Sequence, residues 1–394
     1  MLNLNLMLYS RGCEKILEAS WCYQYVPTAV LPHSTDQIQI NWRSTLSLEE
    51  GALERTSNRK HKKSRSNDFT LKDITADTIP AIRNLISDVM LDIPYYLSHH
   101  KPKMIEAVIK EANRVYRLWC QNNPGFQQYG RVHLIAHSLG SVMALDILSK
   151  QPTTLPKHLD LKSRKVHHDM FEFDTKSLFF CGSPAGFFLL LNQAHLIPRK
   201  GRDKPGADGE DFGRGIAGEA GTFGCLAVDN VYNVMHYNDP IAYRVNACVD
   251  VRYADSLQPA VVPSATSSWL QTIGSVFRKS TIPSAASTGL DTFPKRPAAV
   301  KLPSTIEMEI HDFTQEEIAE KKMYLLNDNG QIDYFLSSGG GPLEIQYLNM
   351  LGAHSSYWIL QDFVRFLVVE IGRKQGRGET VLSMRAVKKG WGKK

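Results

Sequence analysis

Ala136-His137-Ser138-Leu139-Gly140 sets a serine between two small residues, one two positions before it and one two positions after. A sharp strand-to-helix turn demands that spacing, because its strained backbone leaves no room for larger side chains. Such a turn lifts the hydroxyl clear of its surroundings, and the next backbone N–H, that of Leu139, can hold the oxygen of a carbonyl under attack. The chemistry on offer is acyl transfer with Ser138 as nucleophile. A serine hydroxyl is inert until a base takes its proton and an acid orients that base. On elbows of this kind the chain order is serine, acid, histidine. Asp239, in Tyr237-Asn238-Asp239-Pro240-Ile241, directly follows an apolar run. His354, in Gly352-Ala353-His354-Ser355-Ser356-Tyr357-Trp358, precedes the last apolar segment. Both have the required place. Among thirteen histidines, His137 adjoins the serine but is expected to point elsewhere, and His236 is expected inside a strand.

The elements needed to position these groups are legible around them. Arg131–Ala136 has the character of a buried parallel strand, and Val142–Ser149 follows as a helix. Leu178–Cys181 is a second buried strand, closed by Gly182-Ser183-Pro184-Ala185-Gly186, with a helix expected over Phe187–Gln193. Val231–Tyr237 is a third strand. Earlier, apolar residues at helical spacing run from Ile79 to Met90 and from Ile105 to Trp119. Tyr23–Val30 and Ile38–Trp42 are candidate short strands, and Asn327-Asp328-Asn329-Gly330 between apolar runs predicts a hairpin. Phe363–Ile371 closes the pattern as a terminal apolar element. Strands alternating with helices predict an α/β-hydrolase-like fold: a mainly parallel sheet with helices on both faces and long surface insertions. The organisation expected is an N-terminal segment (1–70), a core with the elbow (71–176), a second region (177–372) interrupted by loops 198–221 and 256–303, and a basic tail (373–394).

The 394 residues carry 46 Lys+Arg against 40 Asp+Glu, a mild +6, and 43% are hydrophobic. That composition excludes a wholly disordered, collagen-like or coiled-coil protein, and a charge this small does not call for nucleic acid. No apolar run approaches the roughly 20 residues of a spanning helix, and the first residues lack the order of a secretory signal. Six cysteines without a C-x-x-C pair point to free thiols in a reducing compartment, so a cytoplasmic location is expected. Within the second loop, Trp269, Leu270, Ile273, Val276 and Phe277 share one helical face with Arg278 and Lys279 at its end. That is the pattern of an interfacial helix, or of one packed back on its own domain. Arg59–Arg65 is a basic run expected in an exposed loop, and the tail after Gly372 holds eight Lys/Arg with Glu379 as its one acid. The tail reads as a solvated extension or an electrostatic tether to anionic lipid.

From about Leu71 to Gly372 the chain resembles the DDHD-domain intracellular phospholipases A1, which prefer phosphatidic acid and related phospholipids. The resemblance rests on Asn122-Asn123-Pro124, His133–Ser141, Leu178–Gly186, Asn233–Arg244, Gln331-Ile332-Asp333-Tyr334 and Ala353–Trp358 with Asp362. The four residues that name the domain match Asp239, Asp333, His354 and Asp362. The resemblance implies hydrolysis of the sn-1 ester at a membrane surface, with Ser138 attacking and His354 moving the proton. Two departures stand out. Ala136 replaces the family's glycine, and no upstream His-Gly strand end resembling an oxyanion loop is found, so either that strand is missing or Met1–Val30 is a divergent replacement. The four-residue set has also been read in the family as a divalent-metal site. No metal is required by the spacing, and Asp333 and Asp362 are expected as supporting groups. The open alternatives are a weakly active membrane-binding or trafficking protein on the same scaffold and a metal-dependent phosphohydrolase. Oligomeric state is not legible.

Overall fold

The computed structural model describes residues 4–9, 35–40, 93–155, 166–209, 211–263, 315–336 and 352–389. Among them seven strands form one sheet: β1 (Leu4–Tyr9), β2 (Thr35–Ile40), β3 (Arg131–His137), β4 (Thr175–Cys181), β5 (Val228–His236), β6 (Ala260–Val261) and β7 (Asp333–Leu336). Their order is β2-β1-β3-β4-β5-β7-β6. From β3 to β6 every pairing is parallel, whereas β1 runs antiparallel to both β2 and β3. Side chains alternate across the pleat, so each strand feeds two cores. Val132, Leu134, Ala136, Leu178, Phe180 and Val231 join one, while Ile135, Phe179, Cys181, Tyr232 and Val234 join the other.

Helices cover both faces. On the first face lie α1 (Lys101–Asn122), α3 (Leu139–Lys150), α4 (Ala185–Leu191) and α7 (Gln315–Leu326), with the short α2 (Phe126–Tyr129), α5 (Asn246–Val249) and α6 (Val251–Ser256) between them. On the second lies α8 (Gln361–Gly372), through Phe363, Phe366, Leu367 and Ile371. Every residue of α3 from Leu139 to Ser149 is buried, the condition of a helix enclosed in a core. The expected α/β architecture is therefore present.

Three expectations change. Asn327–Gly330 does not turn a hairpin: it joins helix α7 to strand β7, and Tyr324 belongs to the helix. The signal misled because Gly330 has φ +76°, a conformation that a helix-to-strand turn needs as much as a hairpin does. Residues 198–209 and 211–221 are fastened to the core rather than loose on the surface. Arg199 donates to the carbonyls of Leu148, Ser149 and Gln151 at the end of α3 and to that of Cys225, supplying partners that helix ends otherwise lack. The chain after Gly372 is docked as far as residue 389. Met384 and Val381 are buried, Ala386 N–H donates to Asn329 O, Gln258 N–H to Val387 O, and Lys389 N–H to Ser256 O.

The readings of Tyr23–Val30, Arg59–Arg65, Ile79–Met90 and Trp269–Phe277 fall outside the described residues. Cys120, Cys181, Cys225 and Cys248 are free thiols; Cys13 and Cys22 lie outside the described part. Among the described residues no helix is long and apolar enough to cross a membrane.

Candidate active site

Strand β3 ends in the turn that its sequence predicts. Ser138 has φ 54° and ψ −132°, a region that costs a non-glycine residue on the order of 1–3 kcal/mol. Three hydrogen bonds hold it there: Ser138 N–H donates to Cys181 O, and Ser141 N–H and Ser141 Oγ both donate to Ser138 O. Ala136, fully buried between β1 and β4, shows that a methyl is accommodated where the family carries hydrogen. Leu139 opens α3 directly after the serine, so its N–H is one of the unpaired donors at the start of a helix, where developing negative charge is favoured.

His354 Nε2 lies 3.0 Å from Ser138 Oγ, and its Nδ1 lies 3.0 and 3.1 Å from the two carboxylate oxygens of Asp239. The three residues are 101 and 115 positions apart in sequence, and all three are buried. Asp239 follows β5 in a turn that its own side chain closes, accepting from Ile241 N–H. Burial pushes its carboxyl up, but the hydrogen bond and charge of His354, then the Tyr357 hydroxyl and the Ile241 N–H, outweigh burial and hold it below the usual carboxylate range. Two contributors could not be found by motif. Tyr357 donates its hydroxyl to Asp239 Oδ2 at 2.7 Å and accepts from His236 N–H at 3.0 Å. Gly182, φ +55°, leaves the space in which the acid and the base meet: a Cβ there falls 2.8 Å from Asp239 Oδ2 and 3.0 Å from His354 Nδ1. Its place at the end of a buried strand is the one signal the sequence carries. His137 points away from the serine, yet its Nε2 donates to the main-chain carbonyl of His354.

Asp333 has a set of donors of its own. Asp333 is buried at the start of β7 and accepts from Asn233 Nδ2, Val245 N–H and Asn246 N–H. Burial raises its pKa, only partly offset by these donors and by Arg244. Asp362 sits in the first turn of α8. N–H groups already face Asp333, and no group of three or more His, Cys, Asp or Glu side chains among the described residues is arranged to hold an ion.

Beside the elbow strand stands β1. Leu4 lies opposite Ala136 and Tyr9 opposite Arg131, so the C-terminal end of β1 is carried away from Ser138. The C-terminal end of β2, where Ile40 pairs with Leu4, lies at the serine's edge of the sheet.

The family model of the DDHD domain matches residues 171–293 and 294–372. A probable mitochondrial phospholipase of Schizosaccharomyces pombe is 30% identical over 322 residues, which is 77% of this chain and 40% of that protein. A probable mitochondrial phospholipase of Saccharomyces cerevisiae is 26% identical over 373 residues, 92% of this chain and 45% of that protein. An intracellular phospholipase A1 of Caenorhabditis elegans is 25% identical over 251 residues, 53% of this chain and 25% of that protein. The chain thus spans less than half the length of these relatives. No solved structure matches it. With the matched segments covering more than half of its residues and carrying Asp239, Asp333, His354 and Asp362, the chain belongs to the DDHD-domain family.

Proposed function

We propose that this chain is a serine ester hydrolase that cleaves the sn-1 acyl ester of phospholipids such as phosphatidic acid, a phospholipase A1. The observation that carries the reading is the unbroken line of contacts from Ser138 Oγ through His354 to Asp239. His354 takes the serine proton as Ser138 attacks the acyl carbonyl, and the oxygen that becomes negative is held by Leu139 N–H. The proton then passes from His354 to the departing lysophospholipid oxygen, leaving an acyl-serine. Water, deprotonated by the same histidine, hydrolyses that ester and frees the fatty acid. Asp239 keeps the imidazole in the tautomer that leaves Nε2 bare toward the hydroxyl. The names of these three relatives, each a phospholipase, support the substrate class. The substrate is a membrane lipid, so the protein works peripherally at a membrane surface; the fungal relatives' names make the mitochondrion the organelle of choice.

Ser138→Ala is expected to lower fatty-acid release from phosphatidic-acid vesicles by about 10³-fold or more, and a fluorophosphonate probe is expected to label Ser138. Undiminished release by the variant ends the reading. A second reading, a weakly active scaffold that binds membranes, draws on the orientation of β1, whose C-terminal end is carried away from the serine. A folded protein that resists the probe yet binds the vesicles decides for it.

A further inference from the structure

We infer that His137 is a positioning residue that holds the main chain of His354, an inference that rests on the Ser138–His354 reading above. His137 and Ser138 are consecutive, so the elbow fixes the two side chains relative to each other. Ser138 Oγ meets the ring of His354 at Nε2, 3.0 Å away. His137 Nε2 meets the other end of the same residue, its main-chain oxygen, at 2.5 Å. A carbonyl oxygen only accepts, so His137 carries a proton on Nε2. Two neighbouring residues of β3's exit thereby grip one histidine by side chain and backbone together.

The grip matters because of where His354 lies. It comes from a turn ahead of the 3₁₀ helix Ser356–Ile359, not from the sheet. The strand that delivers the nucleophile reaches across and fixes that turn. The contact is buried, with His137 2% and His354 3% exposed, where a hydrogen bond is strong and an unmade one costly. Aromatic rings close around it: the His137 ring centroid is 4.6 Å from His354, 5.8 Å from Tyr357 and 6.3 Å from Trp358. Tyr357 in turn holds Asp239. On this inference His137 acts through the location of the base. Misplacing a catalytic group by about 1 Å costs roughly 100-fold in rate.

Two substitutions separate holding from filling. His137→Phe keeps a ring among the aromatic neighbours and loses the N–H, whereas His137→Gln gives up the ring and places an amide N–H within reach of the carbonyl. The expected result is a kcat lowered roughly 100-fold in the Phe variant with KM within about twofold, and slower fluorophosphonate labelling by the same factor. The Gln variant recovers most of both. The reverse ranking, or equal loss in both, assigns the residue to packing and overturns the inference. Two spectroscopic readouts do not depend on turnover. The His354 Nδ1–H, bonded to Asp239, is expected as a low-field proton resonance in the wild-type protein, lost in His137→Phe and kept in His137→Gln. Its persistence in the Phe variant overturns the positioning role even if the protein proves inactive. Nitrogen-15 histidine spectra of the unaltered protein, which need no variant to fold, must show His137 protonated on Nε2; the opposite tautomer also overturns the inference.

Discussion

The two edges of the sheet treat buried charge in opposite ways. Where β3, β4 and β5 end, one carboxylate, Asp239, is held by an imidazole, a phenol and a backbone N–H, with no arginine or lysine among the described residues bonded to it. Where those strands begin, full charges are locked together. Arg373 donates to Glu370, Asp328 and the Tyr232 hydroxyl. Lys204, 3.3 Å from Asp328, donates to Asp229 O, Leu325 O and Asn230 Oδ1. Arg202 bridges Asp174 and Asp229. The difference fits what the proposed mechanism asks of each edge. A permanent cation against Asp239 would spend its charge before the imidazolium forms, whereas at the far edge nothing has to change charge, and fixed pairs weld the docked tail to the strands.

A crossed pair of substitutions can break this contrast. Asp239→Asn turns an amide toward donors that want an acceptor and favours the wrong imidazole tautomer, so kcat should fall by on the order of 10⁴ with little change in Tm. Arg373→Met strands Glu370 without its cation and leaves Asp328 with Lys204 alone, a loss of about 3–5 kcal/mol of stability, while kcat of the folded fraction stays within about twofold. Kinetics and urea denaturation of both variants check the pair. If Asp239→Asn melts the protein and Arg373→Met slows the chemistry, the division of labour between the edges is wrong.

Gly182→Ala sharpens it. The methyl would stand 2.8 Å from Asp239 Oδ2 and 3.0 Å from both His354 Nδ1 and Tyr357 Cε2, inside contact distance of the pair it must not disturb. Displacing that pair by a few tenths of an ångström to an ångström should cost about 10–100-fold in kcat. A positive φ adds about 1 kcal/mol of strain to the fold. A kcat within twofold of wild type would mean that the acid and base tolerate movement and that the gap is incidental.

The reactive edge was the more legible of the two. A nucleophile elbow is local: five consecutive residues and the strand before them specify it, and chain order then singles out Asp239 and His354. The helpers were not legible because their signals are not local. Tyr357 reaches Asp239 across 118 positions, Gly182 looks like an ordinary strand-closing glycine, and His137 was set aside for pointing away from the serine, which is what lets it reach the backbone of His354. At the far edge local composition misled. Eight cations against one acid after Gly372 suggested a solvated tail, yet Val381 and Met384 are buried there, and the carboxylates that neutralise Arg373 come from Asp328 and Glu370. Helix α7 escaped because its apolar residues are few among charges, and its packing against β5 and the short helices decides its state.

The smallest effect expected concerns acid stability. Burial pushes the Asp328 carboxyl up, but Lys204, the Gly376 N–H, Arg373 and Asn230 more than reverse this and hold it below its ordinary value. A carboxyl with a depressed folded-state pKa contributes stability that is fully present above its unfolded pKa, near 3.9, and is lost as pH falls through the folded value. Asp328→Asn removes that contribution at every pH. The variant should be less stable than wild type at pH 7, and the gap should narrow as pH falls below about 4, with a slope difference of at most about 1.4 kcal/mol per pH unit for one proton. Urea midpoints between pH 7 and pH 3 measure it. Parallel curves would mean that Asp328 is not ionised in the folded protein, and the far edge would then be held by hydrogen bonds rather than by charge.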